Sequence, residues 1–370
     1  MTATLRRTTT VQAFLRADRV LILGCTPLAE QLIHEIASRP DDRHAVIGVL
    51  DDRAPAPGHA VGELFLGPLS CLETVVETLG PQRIVVALAE RRGRMPVSTL
   101  VDCCASRGVI VEDATEFYER LTGKLAIESM TPMSAVSFGR LGPSQLQQAF
   151  AQTLSLSTAL LFLILLSPLL ALIAVAIKLD SEGPVLFAQE RVGRHGQPFT
   201  LRKFRTMQHG RARRSEWECD NRDQVTRVGR WLRVFRLDEL PQFVNILRGE
   251  MNLVGPRPHP VSNLELFTLV TRNLNELTGA AISCYALRVM VRPGLTGWAQ
   301  VRYRYANNLE EEIEKLRYDL YYIKHMSLRL DLRIILETIR VVTGGRVMGD
   351  EAGSTRRLGF FGKVGRTTEA

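Results

Sequence analysis

The sequence predicts an α/β protein with a parallel-sheet domain first, a membrane helix next and a mainly helical domain last. Apolar strand-like runs alternate with helical patterns over residues 1–125, which is typical of a Rossmann-like parallel sheet. An uncharged stretch from about Leu154 to Ile177 is long enough to enter a bilayer. The following residues are rich in Arg, Gly, Pro and aromatics, and they end in helical patterns. We therefore divide the rest of the chain into a linker at 126–150, a membrane segment at 151–180, a second domain at 181–345 and a tail at 346–370.

Charge and cysteine content narrow the classes of partner and of compartment. The 370 residues contain 47 Lys and Arg against 39 Asp and Glu, which gives a net charge of +8. This mild excess suits phosphorylated substrates, an acidic membrane surface or nucleic acid. The six cysteines form no CxxC motif and no Cys/His cluster. A zinc site or a disulfide framework is therefore not expected, and free thiols in a reducing compartment are.

The elements of the parallel sheet follow from apolar runs and helical spacing. We expect strands at 19–24, 45–50, 83–89 and 109–112, and helices at 28–36, 72–79 and 97–106. The turn after the first strand reads GCTPLA, where a dinucleotide-binding turn reads GxGxxG. Gly24 fits the first glycine, whereas Thr26 and Ala29 replace the other two. Asp51 and Asp52 follow the second strand, where a ribose-binding acid would lie. The domain is either nucleotide-binding or a structural or regulatory Rossmann-like module.

The uncharged stretch has a proline in its middle. Residues 160–178 read LLFLILLSPLLALIAVAIK, and about 20 apolar residues suffice to cross a bilayer. Pro168 lacks an N–H and its ring clashes with the carbonyl of Ile164, so the helix should kink sharply there. The hydroxyl of Ser167 can satisfy one of the freed backbone groups. These features favour a kinked membrane helix over a buried core hairpin.

Basic residues are concentrated after the membrane segment. Between residues 202 and 214 there are six of them and no acid: Arg202, Lys203, Arg205, Arg211, Arg213 and Arg214. Lys203 and Arg205 flank Phe204 in an alternating stretch, so one face of a strand can direct both cations to a phosphate. For the last three arginines, a patch that faces solvent or lipid headgroups is favoured.

Two neighbouring acids mark the next segment, RLDELPQFVNILRGEMNLVGPRP, residues 236–258. Apolar spacing predicts a helix here, and Pro241 is tolerated only in its first turn. The helix should therefore begin near Asp238, whose carboxylate would cap it and be kept ionised by the helix dipole. Beside Glu239, an ionised Asp238 also offers a nucleophile and a metal ligand. Spacing alone favours the simple cap.

A third segment, VRPGLTGWAQVRYRY at 291–305, combines glycine, proline and aromatic residues. Thr296 lies between two glycines, and Trp298 and Gln300 follow it. A tight polar loop with an aromatic side chain can form the wall of a nucleotide or phosphate site. Taken by itself, the segment is only a turn.

Together these segments resemble a known family over about residues 150–345. SPLLALIAVAIKLDSEGPVLFAQERVG, KFRTM, LDELPQF, NILRGEMNLVGPRP, RPGLTGWAQV and YDLYYIK are similar to the bacterial sugar transferases. These are monotopic polyprenyl-phosphate phosphoglycosyl transferases that initiate exopolysaccharide, capsule or O-antigen synthesis. The N-terminal domain resembles the Rossmann-like module of larger members, and the resemblance implies a mainly α catalytic domain with interfacial helices at 181–345.

The resemblance implies a reaction and a set of residues. A sugar 1-phosphate moves from a UDP-sugar to polyprenyl (undecaprenyl) phosphate and UMP is released. The family's nucleophilic aspartate corresponds to Asp238, which would form a phosphoglycosyl intermediate, and Glu239 would help hold Mg²⁺. The positions implied for substrate binding are Lys203, Arg205, Arg257, Thr296, Trp298, Gln300 and Asp319. Which UDP-sugar is used stays open, with a hexose favoured.

The resemblance also implies a topology. The family's re-entrant helix is broken at a Ser-Pro pair, which corresponds to Ser167 and Pro168. Both domains would then lie on the cytoplasmic face of a bacterial inner membrane, in contact with anionic lipid of the inner leaflet. A homodimer is a reasonable assembly, whereas nucleic acid is not expected as a partner because no recognition motif is present.

Several features depart from the family pattern and keep an alternative open. The lead-in to the membrane helix reads QLQQAFAQ instead of a basic pair with an acid, and Arg236 replaces a small hydroxyl residue. The transmembrane helices that precede the Rossmann-like module in larger members do not occur in this sequence. The alternative is a catalytically silent membrane scaffold or regulator of polysaccharide assembly. In the last helical pattern, the apolar face of Leu332, Ile335, Ile339 and Val342 fits an interfacial helix and a packed helix equally well.

Overall fold

The computed structural model describes residues 18–39, 43–55, 60–88, 93–130, 144–209, 224–263, 284–303 and 309–344. The predicted headgroup-facing residues Arg211, Arg213 and Arg214 lie outside these ranges, as does the predicted tail at 346–370. The described residues form a mixed α/β structure, as the sequence predicts.

The N-terminal part is a five-stranded sheet in the order β3-β2-β1-β4-β5, and every pairing is parallel. Its elements are β1 (Asp18–Leu23), α1 (Pro27–Ala37), β2 (His44–Leu50), β3 (Phe65–Gly67), α2 (Leu72–Leu79), β4 (Arg83–Val86), α3 (Val97–Arg107), β5 (Ile110–Asp113) and α4 (Ala114–Thr122). The four predicted strands and three predicted helices are confirmed, with ends shifted by up to three residues. β3 was not predicted because it is only three residues long.

Strand β1 explains why helices cover both faces of this sheet. Val20 and Ile22 point to one face and pack in a core cluster with residues of α1 and α4. Leu21 and Leu23 point to the other face and pack with residues of α2 and α3. Because side chains alternate along a strand, a continuous apolar run such as VLIL requires burial on both faces.

Gly24 and Asp51, which suggested a nucleotide-binding turn, have structural roles in the fold. Gly24 has φ of 116°, and a Cβ there would lie 2.6 Å from the carbonyl oxygen of Ala87, so a close backbone approach explains the glycine. The carboxylate of Asp51 accepts the backbone N–H of Cys25 at 2.7 Å and pairs with Arg94 at 2.6 Å. Asp51 therefore holds this turn from within the domain.

The C-terminal part is mainly helical, as predicted. It contains α5 (Gln145–Leu165), α6 (Ser167–Asp180), β6 (Leu186–Val192), β7 (Pro198–Phe204), α7 (Arg227–Val234), α8 (Gln242–Leu247), β8 (Asn252–Val254), α9 (Cys284–Arg288), β9 (Gly294–Thr296), α10 (Trp298–Arg302), α11 (Leu309–Lys324) and α12 (Leu328–Gly344). β6 and β7 form an antiparallel pair, and β8 and β9 a parallel one. Leu125, Ile127 and Met130 pack into the core of this part, so the start of the predicted linker at 126–150 is an ordered interface.

The apolar stretch is two helices with a break at Leu166. Ser167 donates its hydroxyl to the carbonyl oxygen of Ile164 at 2.8 Å, which is the contact expected for a freed backbone group. Pro168 lies in the first turn of α6, where its missing N–H has no intrahelical partner to lose. The predicted break is confirmed, although α5 begins at Gln145, six residues before the predicted start. By length and composition alone, α5 could cross a bilayer, which is consistent with membrane association.

Both arms of this broken helix pack against the same strand. On α5, Ala159 is fully buried in a cluster with Leu201 of β7. On α6, Ile173 and Ile177 are buried in a cluster with Phe204 of β7. The tip between the arms is exposed, with about two thirds of the surface of Ile164 and Leu165 accessible.

The last helix has both a packed and an exposed apolar face. Ile334 of α12 is fully buried in the C-terminal core, and Ile335 packs against that core. Leu332, Leu336, Ile339 and Val342 are exposed. The helix is thus anchored by one face while it presents a second apolar face outward, a pattern that suits an interfacial helix.

Candidate active site

Asp238 lies in a short turn between α7 and α8. Arg236 adopts the left-handed conformation with φ of 55°, and residues 237–239 form a single 3-10 turn. Pro241 precedes the first residue of α8. The prediction that Asp238 caps this helix is therefore wrong, because α8 begins at Gln242 and Asp238 lies in the 3-10 turn before it.

Burial dominates the electrostatics of Asp238. Only 7% of the residue is exposed, and burial raises the pKa of its carboxyl to about 6, with Glu239 adding to the rise. The positive charges of Lys203, Arg233 and Arg257 act in the opposite direction. The expectation that a helix dipole keeps Asp238 ionised is replaced by a balance between burial and three nearby cations.

Glu239 differs from its neighbour because it has a direct ion pair. Its Oε1 accepts from the guanidinium of Arg257 at 2.8 Å, and Arg236 lies 3.9 Å away. Burial alone would raise the pKa of Glu239, but Arg257, Arg236 and Lys203 lower it below its ordinary value. At neutral pH Glu239 is ionised, while Asp238 titrates closer to neutrality.

Lys203, on β7, is close enough to Asp238 and Glu239 for their charges to act on it. Its ammonium stands over the ring of Phe187, 5.4 Å from the centroid. Burial lowers the pKa of Lys203 to about 8, while Asp238 acts to raise it. The charges of Lys203 and Asp238 act on each other, and burial brings both pKa values closer to 7. A bound phosphate would change that balance.

Arg205 has a different environment from the one predicted. Only 4% of it is exposed, and its guanidinium donates to the carbonyl oxygens of Glu182 at 2.8 Å and Ser181 at 2.6 Å. These acceptors follow the last turn of α6, so Arg205 caps the broken helix. Of the two cations that flank Phe204, Lys203 acts on the charges of both acids, and a substrate role for Arg205 stays a prediction.

The third segment makes internal contacts at each predicted position. The hydroxyl of Thr296 lies 2.6 Å from that of Thr338 in α12. Trp298 is 4% exposed and donates its indole N–H to the carbonyl oxygen of Gly123 at 2.9 Å. The amide of Gln300 donates to the carbonyl oxygen of Leu295 at 3.4 Å. The segment thus makes contacts within the protein at all three positions, and its substrate contacts stay a prediction.

Close backbone packing links this segment to Arg257. The amide of Gly255 donates to the carbonyl oxygen of Thr296, and the amide of Gly294 donates to that of Pro256. A Cβ at Gly294 would collide with the backbone of Gly255, so glycine is required at this contact. The pairing fixes the chain that carries Arg257 toward Glu239.

Asp319 supports Arg257 from the protein interior. Arg288 donates its Nε–H to Asp319 at 2.9 Å and a second N–H to the carbonyl oxygen of Arg257. Asp319 is buried, and burial raises its pKa despite the opposing charge of Arg288. Among the described contacts, Asp319 therefore acts through Arg288 and does not reach the two acids itself.

Sequence reasoning missed two arginines of this site. Arg233, at the end of α7, donates its Nε–H to Thr206 at 2.9 Å and acts on the charge of Asp238. Its position only five residues before the predicted nucleophile was a usable signal. Arg288 gave no signal, since its partners are 31 residues away in both directions.

The two acids suit a metal ion whose remaining ligands come from a substrate. Among the residues that the structure describes, no three His, Cys, Asp or Glu residues form a metal cluster. Mg²⁺ is commonly held by one or two carboxylates together with substrate phosphates and water. The neighbouring carboxylates of Asp238 and Glu239 fit an arrangement of this kind.

Comparison with known proteins assigns the chain to a class and then to a family. The buried acids, the surrounding cations and the broken apolar helix define a candidate phosphate-handling site next to an apolar helix that is consistent with membrane association. The bacterial sugar transferase family matches residues 146–345, more than half of the chain. The chain therefore belongs to the bacterial sugar transferase family.

Three similar proteins carry descriptive names. The chain is 37% identical over 65% of its length to a UDP-N-acetylgalactosamine-undecaprenyl-phosphate N-acetylgalactosaminephosphotransferase from Aeromonas hydrophila. It is 33% identical over 88% of its length to an undecaprenyl-phosphate glucose phosphotransferase from Komagataeibacter xylinus. It is 32% identical over 86% of its length to a UDP-glucose:undecaprenyl-phosphate glucose-1-phosphate transferase from Escherichia coli K12. The matches cover 54%, 59% and 66% of these relatives.

Proposed function

We propose that this protein transfers a sugar 1-phosphate from a UDP-sugar to undecaprenyl phosphate and releases UMP. The observation that carries the proposal is the buried Asp238-Glu239 pair, which lies among cations beside a broken apolar helix. The names of relatives that match 86–88% of the chain support the same reaction. The step would begin the membrane stage of exopolysaccharide, capsule or O-antigen synthesis.

The proposed chemistry proceeds through a covalent aspartyl intermediate. An oxygen of the Asp238 carboxylate attacks the β-phosphorus of the UDP-sugar, and the bond from that phosphorus to the UMP oxygen breaks. UMP leaves with the electron pair of that bond. An oxygen of undecaprenyl phosphate then attacks the same phosphorus, which breaks its bond to Asp238 and restores the carboxylate.

The charges around Asp238 support this role. A carboxylate that attacks a diphosphate meets electrostatic repulsion, which nearby cations reduce. Lys203, Arg233 and Arg257 act on Asp238 in that direction. Partial burial also leaves the nucleophile poorly solvated, which favours attack once the substrate has excluded water.

Mg²⁺ is proposed as the cofactor, held by Glu239 with the substrate diphosphate. When bound, the ion would offset phosphate charge and polarise the transferred group. Glu239 is ionised and accepts from Arg257. We propose that Arg257 orients this carboxylate and also approaches the substrate phosphates.

A re-entrant membrane segment at the cytoplasmic face is proposed on the packing of α5 and α6. Both arms contact β7, so an arrangement with one arm on each side of a bilayer would separate residues that pack together. Leu163 of α5 packs against the cluster that contains Leu201 of β7, and beyond Leu163 the helix continues for only about 5 Å before the break. That depth is small beside the roughly 30 Å of a hydrocarbon core.

The direct test supplies the protein in lipid nanodiscs with Mg²⁺, undecaprenyl phosphate and a panel of UDP-sugars. The panel includes UDP-glucose, UDP-galactose and their N-acetylated counterparts. We expect UMP release and sugar phosphate in the lipid fraction with at least one donor. Absence of release with every donor would favour the silent scaffold. Protease protection of tags at both ends, in sealed membrane vesicles, tests the topology, and we expect both tags to be accessible from the same face only.

A further inference from the structure

The N-terminal domain contacts one helix of the C-terminal domain through a buried carboxylate. Glu119 of α4 is 3% exposed. It accepts from the ammonium of Lys324 at 2.8 Å, and the imidazole Nε2 of His325 lies 2.9 Å away. Lys324 is the last residue of α11. Because a buried carboxylate is costly without partners, this contact fixes the position of the helix end.

A second ionic contact fixes the middle of the same helix. The ammonium of Lys124 lies 2.5 Å from the carboxylate of Glu314 in α11 and 3.2 Å from that of Glu35 in α1. The backbone amide of Leu125 donates to the carbonyl oxygen of Arg317 at 3.0 Å. One face of α11 is therefore held at two levels by the segment that ends the parallel-sheet domain.

α11 also carries the residue behind Arg257. Asp319 lies between Glu314 and Lys324 in sequence and holds Arg288 at 2.9 Å. Arg288 donates to the backbone carbonyl of Arg257, whose side chain pairs with Glu239. A continuous set of contacts thus runs from the N-terminal domain through α11 to the carboxylate beside Asp238.

The indole of Trp298 makes a parallel connection. Its N–H donates to the carbonyl oxygen of Gly123, one residue before Lys124. Trp298 begins α10 directly after the chain that pairs with β8. The short segment 119–125 therefore contacts both elements that fix the backbone around Arg257.

We propose that Glu119 and Lys124 are positioning residues for the transfer reaction, and that the N-terminal domain acts as a clamp on α11. The inference rests on the proposed function. If the clamp is removed, α11 can shift, and this shift displaces Arg288 and with it Arg257. Neither residue is expected to touch a substrate, so substrate affinity should change less than turnover.

The test compares Glu119→Gln with Glu77→Gln in the full-length protein in nanodiscs. Glu77 is a matched control in the same domain, because its ion pair with Arg107 is exposed. For Glu119→Gln we expect faster amide hydrogen exchange in residues 309–324 and unchanged exchange in β1 and β4. We expect kcat for UMP release to fall about 10- to 100-fold with KM for the UDP-sugar within about threefold. The control should match the parent protein.

A charge reversal separates positioning from a general loss of folding. Glu119→Lys alone should lose activity, and Glu119→Lys combined with Lys324→Glu should recover at least a third of it. Unchanged kcat in Glu119→Gln, or lost protection throughout both domains without recovery in the double variant, would overturn the proposal. If the parent protein releases no UMP from any donor, the proposed function fails, whereas the exchange difference in α11 still reports whether the clamp exists.

Discussion

Replacing Asp238 with asparagine should abolish transfer and at the same time stabilise the fold at alkaline pH. Burial and Glu239 raise the pKa of this carboxyl from 3.8 to about 6, so the folded protein resists its ionisation. A shift of two units corresponds to about 3 kcal/mol. The asparagine variant has no such cost, because it carries no charge at any pH.

The sign of the effect follows from linkage. A carboxyl whose pKa is raised by folding favours the folded state fully below pH 3.8, and this contribution is lost as pH rises through 6. The value of about 6 already includes the opposing charge of Lys203, so no further correction for that partner is needed. We therefore expect Asp238→Asn to be more stable than the parent by about 3 kcal/mol at pH 8 and by roughly half as much at pH 5.

Thermal unfolding in nanodiscs, followed by circular dichroism without divalent cations or UDP-sugar, measures this difference. The variant should melt a few degrees higher than the parent at pH 8, and the gap should narrow to about half at pH 5. A lower melting temperature at pH 8, or an equal gap at both pH values, would refute the assignment of a burial penalty to Asp238. UMP release by the variant should fall by at least about 10³-fold.

Three further measurements probe the same site. Since the ionised form of Asp238 is the nucleophile, kcat/KM should fall about tenfold per unit as pH drops below about 6; a flat profile between pH 5 and 7 would contradict this. Lys203→Met removes a cation that lowers the pKa of Asp238, so the acid limb should move to higher pH while activity drops; an unmoved limb would show that Lys203 does not act on this carboxylate. Chelation with EDTA should stop UMP release, and added Mg²⁺ should restore it; full activity in EDTA would remove Mg²⁺ from the mechanism.

The parallel sheet and the helix break could be read from the sequence because their causes are local. Apolar runs such as VLIL identify buried strands wherever they fold. A proline in an apolar helix fixes the position of a kink without knowledge of the neighbours. The contact between Ser167 and Ile164 spans three residues, so it too lies within reach of sequence reasoning.

The environment of the predicted site residues depends on contacts that the sequence does not order. Trp298 meets Gly123 across 175 residues, and Arg205 meets the end of α6 through a strand pairing that places β7 beside it. The cap predicted for Asp238 is wrong because a 3-10 turn precedes α8, and the left-handed conformation of Arg236 before that turn is one that its residue type does not favour. The partners of these residues were therefore not predictable from the sequence.

Intact-protein mass spectrometry after incubation with UDP-sugar and Mg²⁺, with no lipid acceptor present, tests the nucleophile most directly. We predict a mass increase of one sugar phosphate per chain, mapped by peptide analysis to Asp238, that disappears when undecaprenyl phosphate is added. The Asp238→Asn variant should stay unmodified. Transfer to the lipid with no adduct in the parent protein at any time, or an adduct that persists in Asp238→Asn, would contradict covalent catalysis at this carboxylate.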